Sequence, residues 1–112
     1  MNIQAKERKK NLERELKRIV DTIIKNYFPK KIILFGSLAN GDIREWSDID
    51  LVVIKETGDN PWKRAAQIDR LIEHRAPVDI LVYTPEEILQ RLAMNDYFVK
   101  EFNEKGKVLY NG

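Results

Sequence analysis

The sequence contains no cysteine and only one histidine, His74, among its 112 residues. The absence of thiols excludes disulfides, zinc–thiolate sites and thiol nucleophiles, and it is typical of intracellular proteins. A single histidine also excludes a histidine-rich metal site. Any metal site must therefore be built from oxygen ligands, chiefly carboxylates.

The sequence also lacks long apolar runs and a strong net charge. No run approaches membrane-spanning length, and the charged N-terminal residues lack the apolar segment of a signal peptide, so we expect a cytoplasmic protein without a membrane partner. The net charge of +2 does not by itself require a nucleic-acid partner. With 43% hydrophobic and 34% charged residues, we expect residues 1–112 to form a single globular domain.

Apolar periodicity predicts helices alternating with short strands. Apolar residues at three- and four-residue steps predict a first helix from residue 5 to about residue 28, ended by Pro29. We expect further helices after Asn60 and after Thr84, and over Asp96–Lys105, with Trp62, Tyr97 and Phe98 on their packed faces. The predicted strands are Lys31–Phe35, Asp48–Ile54, Val78–Tyr83 and a short edge strand at Val108–Tyr110. This order predicts an α/β (α+β) fold with a small mixed β-sheet and helices packed on it.

The first part of the first helix is basic. Two interpretations are open for its cations, which are Lys6, Arg8, Lys9, Lys10, Arg14, Lys17 and Arg18. We favour a solvated face with Glu–Lys pairs, because surface charge is usual for such residues. The alternative is a contact with RNA or with an acidic partner.

The stretch Leu34–Leu51 contains most of the residues that could bind a ligand or take part in catalysis. Gly36-Ser37 ends a strand, and we expect Ser37–Asn40 to form one helical turn closed by Gly41 in the left-handed conformation. A tight hairpin at Asn40-Gly41 is the alternative. Gly36 permits close approach of a phosphate, and the amides after Ser37 favour an anion, although neither a Walker A loop nor a dinucleotide fingerprint is present.

Three aspartates are candidates for a metal site. Asp48 and Asp50 lie on one face of a predicted strand, about 7 Å apart, and that face becomes apolar at Val52. Two such carboxylates repel each other and lose hydration, which a divalent cation would offset, and the ligand type favours Mg²⁺ or Mn²⁺. Asp79 interrupts an apolar run expected to be buried. The alternatives are that Asp48 and Asp50 only end a loop, and that Asp79 pairs with a nearby cation.

Taken together, Gly36-Ser37-x-x-x-Gly41 and Ser47-Asp48-Ile49-Asp50-Leu51 resemble the signature of the nucleotidyltransferase superfamily that includes DNA polymerase beta. The chain length is similar to that of its minimal nucleotidyltransferase (MNT) proteins. The resemblance implies a polymerase beta-like fold, with Asp48, Asp50 and Asp79 as catalytic residues that ligate two Mg²⁺ ions. It also implies that Gly36, Ser37 and the backbone near Ser47 bind the phosphates of ATP.

The resemblance further implies a biological role and a partner. MNT proteins pair with HEPN-domain RNase toxins, so the chain resembles an antitoxin that transfers AMP from ATP to a tyrosine of the toxin, as part of a hetero-oligomer. Many relatives carry arginines in the Gly-Ser turn, where this sequence has Leu38 and Asn40. This departure leaves a second hypothesis open, in which a non-catalytic antitoxin neutralises its partner by forming a complex. In the following loop, we expect Arg44 to be exposed and Trp46 to cover the loop, rather than to bind phosphate and base.

Overall fold

The computed structural model describes residues 2–73 and 77–112. His74 therefore lies outside the described residues. The helices are α1 (Ile3–Tyr27), α2 (Ser37–Asn40), α3 (Pro61–Leu71), α4 (Pro85–Ala93) and α5 (Tyr97–Lys105). The strands are β1 (Lys31–Phe35), β2 (Ile49–Ile54), β3 (Val78–Tyr83) and β4 (Lys107–Asn111). In the described part of the chain, no helix is both long enough and apolar enough to cross a bilayer.

The four strands form one mixed sheet in the order β3-β2-β1-β4. β1 runs antiparallel to both β2 and β4, whereas β2 and β3 are parallel. The parallel pair needs a crossover connection, which α3 supplies. The predicted mixed sheet with packed helices is confirmed, and so is the C-terminal edge strand.

Helix α1 covers one face of the sheet. The Asn2 side chain caps its start by accepting a hydrogen bond from the Ala5 amide at 2.7 Å, and Phe28, with a φ of 53°, turns the chain away before Pro29. Its apolar stripe includes Leu12, Ile19 and Ile23, which are fully buried. Burial of each such side chain contributes about 1.5–3 kcal/mol. The stripe packs with α3 against alternate residues of the central strands, namely Ile32, Leu34, Ile49, Leu51 and Val53.

Helices α4 and α5 cover the opposite face. Ile88, Val99 and Phe102 from these helices pack on Ile33, Val52 and Ile54. β1 and β2 are therefore buried on both faces, as expected for β1 from its uninterrupted apolar sequence.

A buried ion pair links α3, β3 and α4. The Arg64 guanidinium, on α3, donates to the Glu87 carboxylate at 2.6 Å, and also to the carbonyls of Asp59 and Val82. Glu87 in turn accepts the Thr84 amide within the capping box that starts α4. This network fixes how β3 lies against the helices.

Three burial expectations are wrong. β3 is an edge strand with an alternating burial pattern, so Asp79 is exposed rather than set in a buried run. Trp62 and Tyr97 are also exposed, because they lie outside the buried stripes of α3 and α5. Both apolar stripes are narrower than the sequence pattern suggested.

Candidate active site

The Gly-Ser turn forms at the end of β1. Gly36 has a φ of 75°, a conformation that favours glycine. Its carbonyl accepts the amides of Ala39 and Asn40, both at 3.1 Å, and Gly41 closes the turn with a φ of 84°. The predicted single helical turn is therefore confirmed, and the hairpin alternative is wrong.

The two departures from the relatives' turn both have structural roles. Leu38 packs against the hydrophobic core beneath α1. The Asn40 side chain accepts the Asp42 amide at 2.9 Å and so closes the turn behind α2. At the positions where relatives carry arginines, this turn therefore has one side chain that packs in the core and one that caps the turn. α2 itself carries no cation.

The sheet register brings Asp50 and Asp79 side by side. β2 and β3 are parallel with Asp50 opposite Asp79, and on the other side Asp50 lies opposite Phe35 of β1. Gly36 follows Phe35 directly, and a methyl group placed there would overlap the Asp50 carboxylate. Gly36, Asp50 and Asp79, singled out from separate parts of the sequence, are thus neighbours at one end of the sheet.

Asp48 lies just before β2, in a loop with a defined conformation. The buried Ser47 hydroxyl accepts the Arg44 amide at 2.8 Å, and the Ser47 amide donates to the Arg44 carbonyl at 3.1 Å. Arg8 of α1 donates from Nε to the Ser47 carbonyl at 2.9 Å. Its terminal nitrogen also lies 3.7 Å from the Asp48 carboxylate. Ser47 therefore shapes the loop that presents Asp48.

The environment of Asp50 disfavours its ionised form. Partial burial raises the pKa of the Asp50 carboxyl, and the negative charges of Asp79 and Asp48 raise it further. Within residues 2–73 and 77–112, no three acidic, histidine or cysteine side chains already converge as a metal centre. The donor set nevertheless fits a hard divalent cation, because its members are carboxylates and a cation would offset their repulsion.

The surface around the carboxylates is partly apolar. The Phe98 ring packs edge-on against Phe35 at a centroid distance of 5.4 Å. Phe98 and Leu81 are each 40% exposed, and Leu81 lies two residues after Asp79 on the same face of β3. The carboxylates thus have accessible apolar side chains near them on two sides, Phe98 packed on Phe35 opposite Asp50, and Leu81 on the edge strand.

Sequence reasoning missed Arg8 and misjudged Trp46. A single sequence does not show that α1 crosses the Ser47–Asp48 loop, so it does not distinguish Arg8 from the solvated cations of this helix. Trp46 is 71% exposed, so the expected covering role is wrong. Arg44 is exposed and paired with Asp42 at 3.2 Å, as expected for a loop residue.

Residues 10–109 match the family model described as a nucleotidyltransferase domain. The chain belongs to this nucleotidyltransferase family. A relative from Methanocaldococcus jannaschii, named "putative protein adenylyltransferase", is 33% identical over 102 residues, which are 89% of this chain and 99% of the relative. A crystal structure titled as a "putative nucleotidyltransferase" from Sulfolobus solfataricus superposes with a TM-score of 0.66 at 25% identity, covering 80% of this chain and 82% of that one.

The matches confirm the superfamily resemblance and the fold of this nucleotidyltransferase domain. They span both halves of the motif, from the Gly36-Ser37 turn to Asp79, so the candidate residues lie within the matched region.

Proposed function

We propose that this nucleotidyltransferase domain transfers AMP from ATP to a hydroxyl group of an acceptor, in a reaction that requires Mg²⁺. The observation that carries the proposal is the pairing of Asp50 with Asp79 beside Gly36. That arrangement sets two carboxylates next to a turn whose backbone a phosphate can approach closely. The membership in the nucleotidyltransferase family supports the same reaction class.

Asp48, Asp50 and Asp79 are the proposed ligands for two Mg²⁺ ions, with Mn²⁺ as the alternative. A bound cation supplies charge neutralisation on the triphosphate and lowers the pKa of the acceptor hydroxyl. Such a cation would also offset the burial and the carboxylate repulsion that together raise the pKa of Asp50. For Asp48 to serve as a ligand, its carboxylate must exchange the long ion pair with Arg8 for the metal.

The remaining roles are proposed from the family resemblance. Gly36 and Ser37 bind the β- and γ-phosphates through the turn, and the backbone near Ser47 adds a contact. The acceptor oxygen attacks the α-phosphorus, the bond from that phosphorus to the pyrophosphate oxygen breaks, and pyrophosphate leaves. The exposed Asp79 carboxylate accepts the proton of the acceptor hydroxyl.

We further propose that the acceptor is a tyrosine of a HEPN-domain toxin, which makes the chain an antitoxin. The name of the M. jannaschii relative, "putative protein adenylyltransferase", supports a protein acceptor. The accessible apolar side chains near the carboxylates, Phe98 on Phe35 and Leu81 on β3, support an aromatic acceptor side chain there.

The test is transfer of label from ATP labelled at the α-phosphate to a HEPN-domain protein encoded in the same genome. We expect labelling of the partner with Mg²⁺ and none with a chelator or with the Asp48→Asn/Asp50→Asn variant. Absence of transfer by the wild-type protein to any such partner would refute the proposed activity.

A second candidate function is neutralisation by binding alone. Leu38 and Asn40, committed to packing and capping, favour it, because they leave the turn without a phosphate-binding arginine. In that case the Asp48→Asn/Asp50→Asn variant would still protect cells from the toxin as well as the wild type does. Loss of protection in that variant favours the catalytic function.

A further inference from the structure

Arg8 differs from the other cations at the start of α1. Lys6, Lys9, Lys10 and Arg14 are exposed, whereas Arg8 is half-buried against the loop before β2. Its guanidinium is hydrogen-bonded to Ser47, which lies 39 residues later in the sequence. Ala5 of α1 and Ile43 of the loop are both buried, and they line the same cavity. Arg8 is therefore placed by the fold and is not a freely moving surface cation.

The guanidinium is anchored through one of its five N–H groups. Nε donates to the Ser47 carbonyl at 2.9 Å, in a hydrogen bond that fixes the plane of the group. Toward the described residues, the terminal nitrogens make the ion pair with Asp48 at 3.7 Å, which is longer than a hydrogen bond, and no hydrogen bond. The four terminal N–H groups can therefore donate to an anion without breaking a hydrogen bond to these residues.

The Gly-Ser turn offers no such cation of its own. α2 has no charged residue, and Arg44 points to solvent in an ion pair with Asp42. Among residues 2–73 and 77–112, Arg8 forms an ion pair with Asp48, one of the three candidate carboxylates. A triphosphate bound at Gly36-Ser37 and at the backbone of Ser47 would lie beside this guanidinium.

We propose that Arg8 binds the terminal phosphates of the nucleoside triphosphate and supplies from α1 the positive charge that the Gly-Ser turn lacks. The inference rests on the proposed nucleotidyl transfer and names a residue of that site. Without nucleotide, Arg8 neutralises Asp48 through a long, solvent-screened pair that is easily exchanged, since the Asp48 side chain is 46% exposed. With nucleotide, the Nε anchor stays and the terminal N–H groups turn to the phosphate oxygens, a geometry that suits arginine.

Calorimetric binding tests this role without relying on turnover. The wild type, Arg8→Gln, Arg8→Lys and Arg14→Gln are titrated with a non-hydrolysable ATP analogue and with AMP, both in Mg²⁺. Arg14→Gln removes the same charge from an exposed site on the same helix. Thermal unfolding of each variant reports on folding.

We expect Arg8→Gln to weaken binding of the triphosphate about tenfold to a hundredfold, as for loss of one or two charge-assisted hydrogen bonds. Binding of AMP should change less than about twofold, because AMP lacks the terminal phosphates. The affinity of Arg8→Lys for the triphosphate should lie between those of Arg8→Gln and the wild type. Lysine keeps the positive charge but lacks the planar guanidinium that can donate two parallel hydrogen bonds. Arg14→Gln should match the wild type.

Each contrary result has a separate meaning. Wild-type affinity for the triphosphate in Arg8→Gln would overturn the role of Arg8 and leave the proposed transfer intact. Equal losses for the triphosphate and AMP, with a lowered melting temperature and no rescue by lysine, would also overturn it and assign Arg8 to loop structure alone. A wild-type protein that binds neither ligand would instead refute the proposed function itself.

Discussion

The Asp50 carboxylate occupies the space that a side chain at Gly36 would need. Gly36 directly follows β1, Asp50 lies in β2, and the pairing of Phe35 with Asp50 places Gly36 against Asp50. The Gly-Ser turn and the aspartate pair, which are separate motifs in the sequence, therefore form one structural unit. Their close packing makes the turn conformation and the carboxylate position depend on each other.

Three glycines provide a graded test of this unit. Gly36→Ala places an alanine in the left-handed backbone conformation and makes its methyl group overlap the Asp50 carboxylate. We therefore expect destabilisation by about 2–4 kcal/mol and loss of activity. Gly41→Ala has the unfavourable φ but open space around it, so we expect about 1 kcal/mol. Gly58→Ala has neither problem and should be near neutral. Chemical denaturation measures all three, and equal effects of Gly36→Ala and Gly41→Ala would contradict the close packing.

Replacement of Asp50 should stabilise the metal-free protein. Because its pKa is raised in the fold, the favourable contribution of protonated Asp50 is present at low pH and is lost as the pH rises through the raised value. In chelator at neutral pH, Asp50→Asn should therefore melt roughly 2–5 °C higher than the wild type. The difference should shrink below the ordinary value of 3.8, where the carboxyl is protonated in both states. A lower melting temperature for Asp50→Asn at neutral pH would contradict this account.

Added Mg²⁺ should stabilise the wild type through the same carboxylate. A cation that binds only the folded state stabilises it, so Mg²⁺ should raise the melting temperature of the wild type and change that of Asp50→Asn much less. A differential scanning fluorimetry titration of both proteins measures this. Identical shifts would place the bound cation away from Asp50.

The ion pair of Arg64 with Glu87 should matter for stability rather than for chemistry. Burial alone would raise the pKa of Glu87, but the hydrogen bonds from Arg64 and Thr84 outweigh it and lower the pKa. The stabilisation is therefore present above the ordinary value of 4.5 and is lost as the pH falls through the lowered pKa. Glu87→Gln should lower the free energy of unfolding by about 2 kcal/mol at neutral pH, because it leaves the buried Arg64 charge without its counter-ion. The variant should also lose less stability than the wild type when the pH is lowered into the acid range. A variant that loses stability in acid as the wild type does would contradict this assignment.

The exposed Leu81 side chain should affect transfer to the acceptor and not binding of the nucleotide. Leu81→Ser removes an accessible apolar side chain two residues beyond Asp79, so we expect about tenfold less transfer to a protein acceptor with unchanged ATP binding. Leu89→Ser, on an exposed position of α4, is the matched control and should transfer normally. Equal transfer by the two variants would show that Leu81 does not contribute to acceptor recognition.

The sequence was sufficient for the order of the elements and for the identity of the candidate motif. Apolar periodicity, the Asn60 cap and the capping box of Thr84 and Glu87 are local signals, and each of these helices begins as predicted. The Gly41 closure also depends on a local preference for the left-handed conformation. Such features need no knowledge of distant residues.

What the sequence did not indicate depends on contacts between distant segments. Arg8 lies on α1, and its role arises only because α1 crosses the Ser47–Asp48 loop. Asp79 is exposed because β3 is an edge strand, and strand order is not visible in a short apolar run. The exposed positions of Trp46, Trp62 and Tyr97 have the same origin, since apolarity alone does not say which face is covered.

The most direct test of the central claim compares two samples of ATP, one labelled at the α-phosphate and the other at the γ-phosphate. Each is incubated with the protein, Mg²⁺ and a HEPN-domain acceptor, and Asp79→Asn is run in parallel. Nucleotidyl transfer predicts that the acceptor gains label only from the α-labelled sample, and that Asp79→Asn transfers at least about a hundredfold more slowly. Label from the γ-phosphate, or undiminished transfer by Asp79→Asn, would contradict the account.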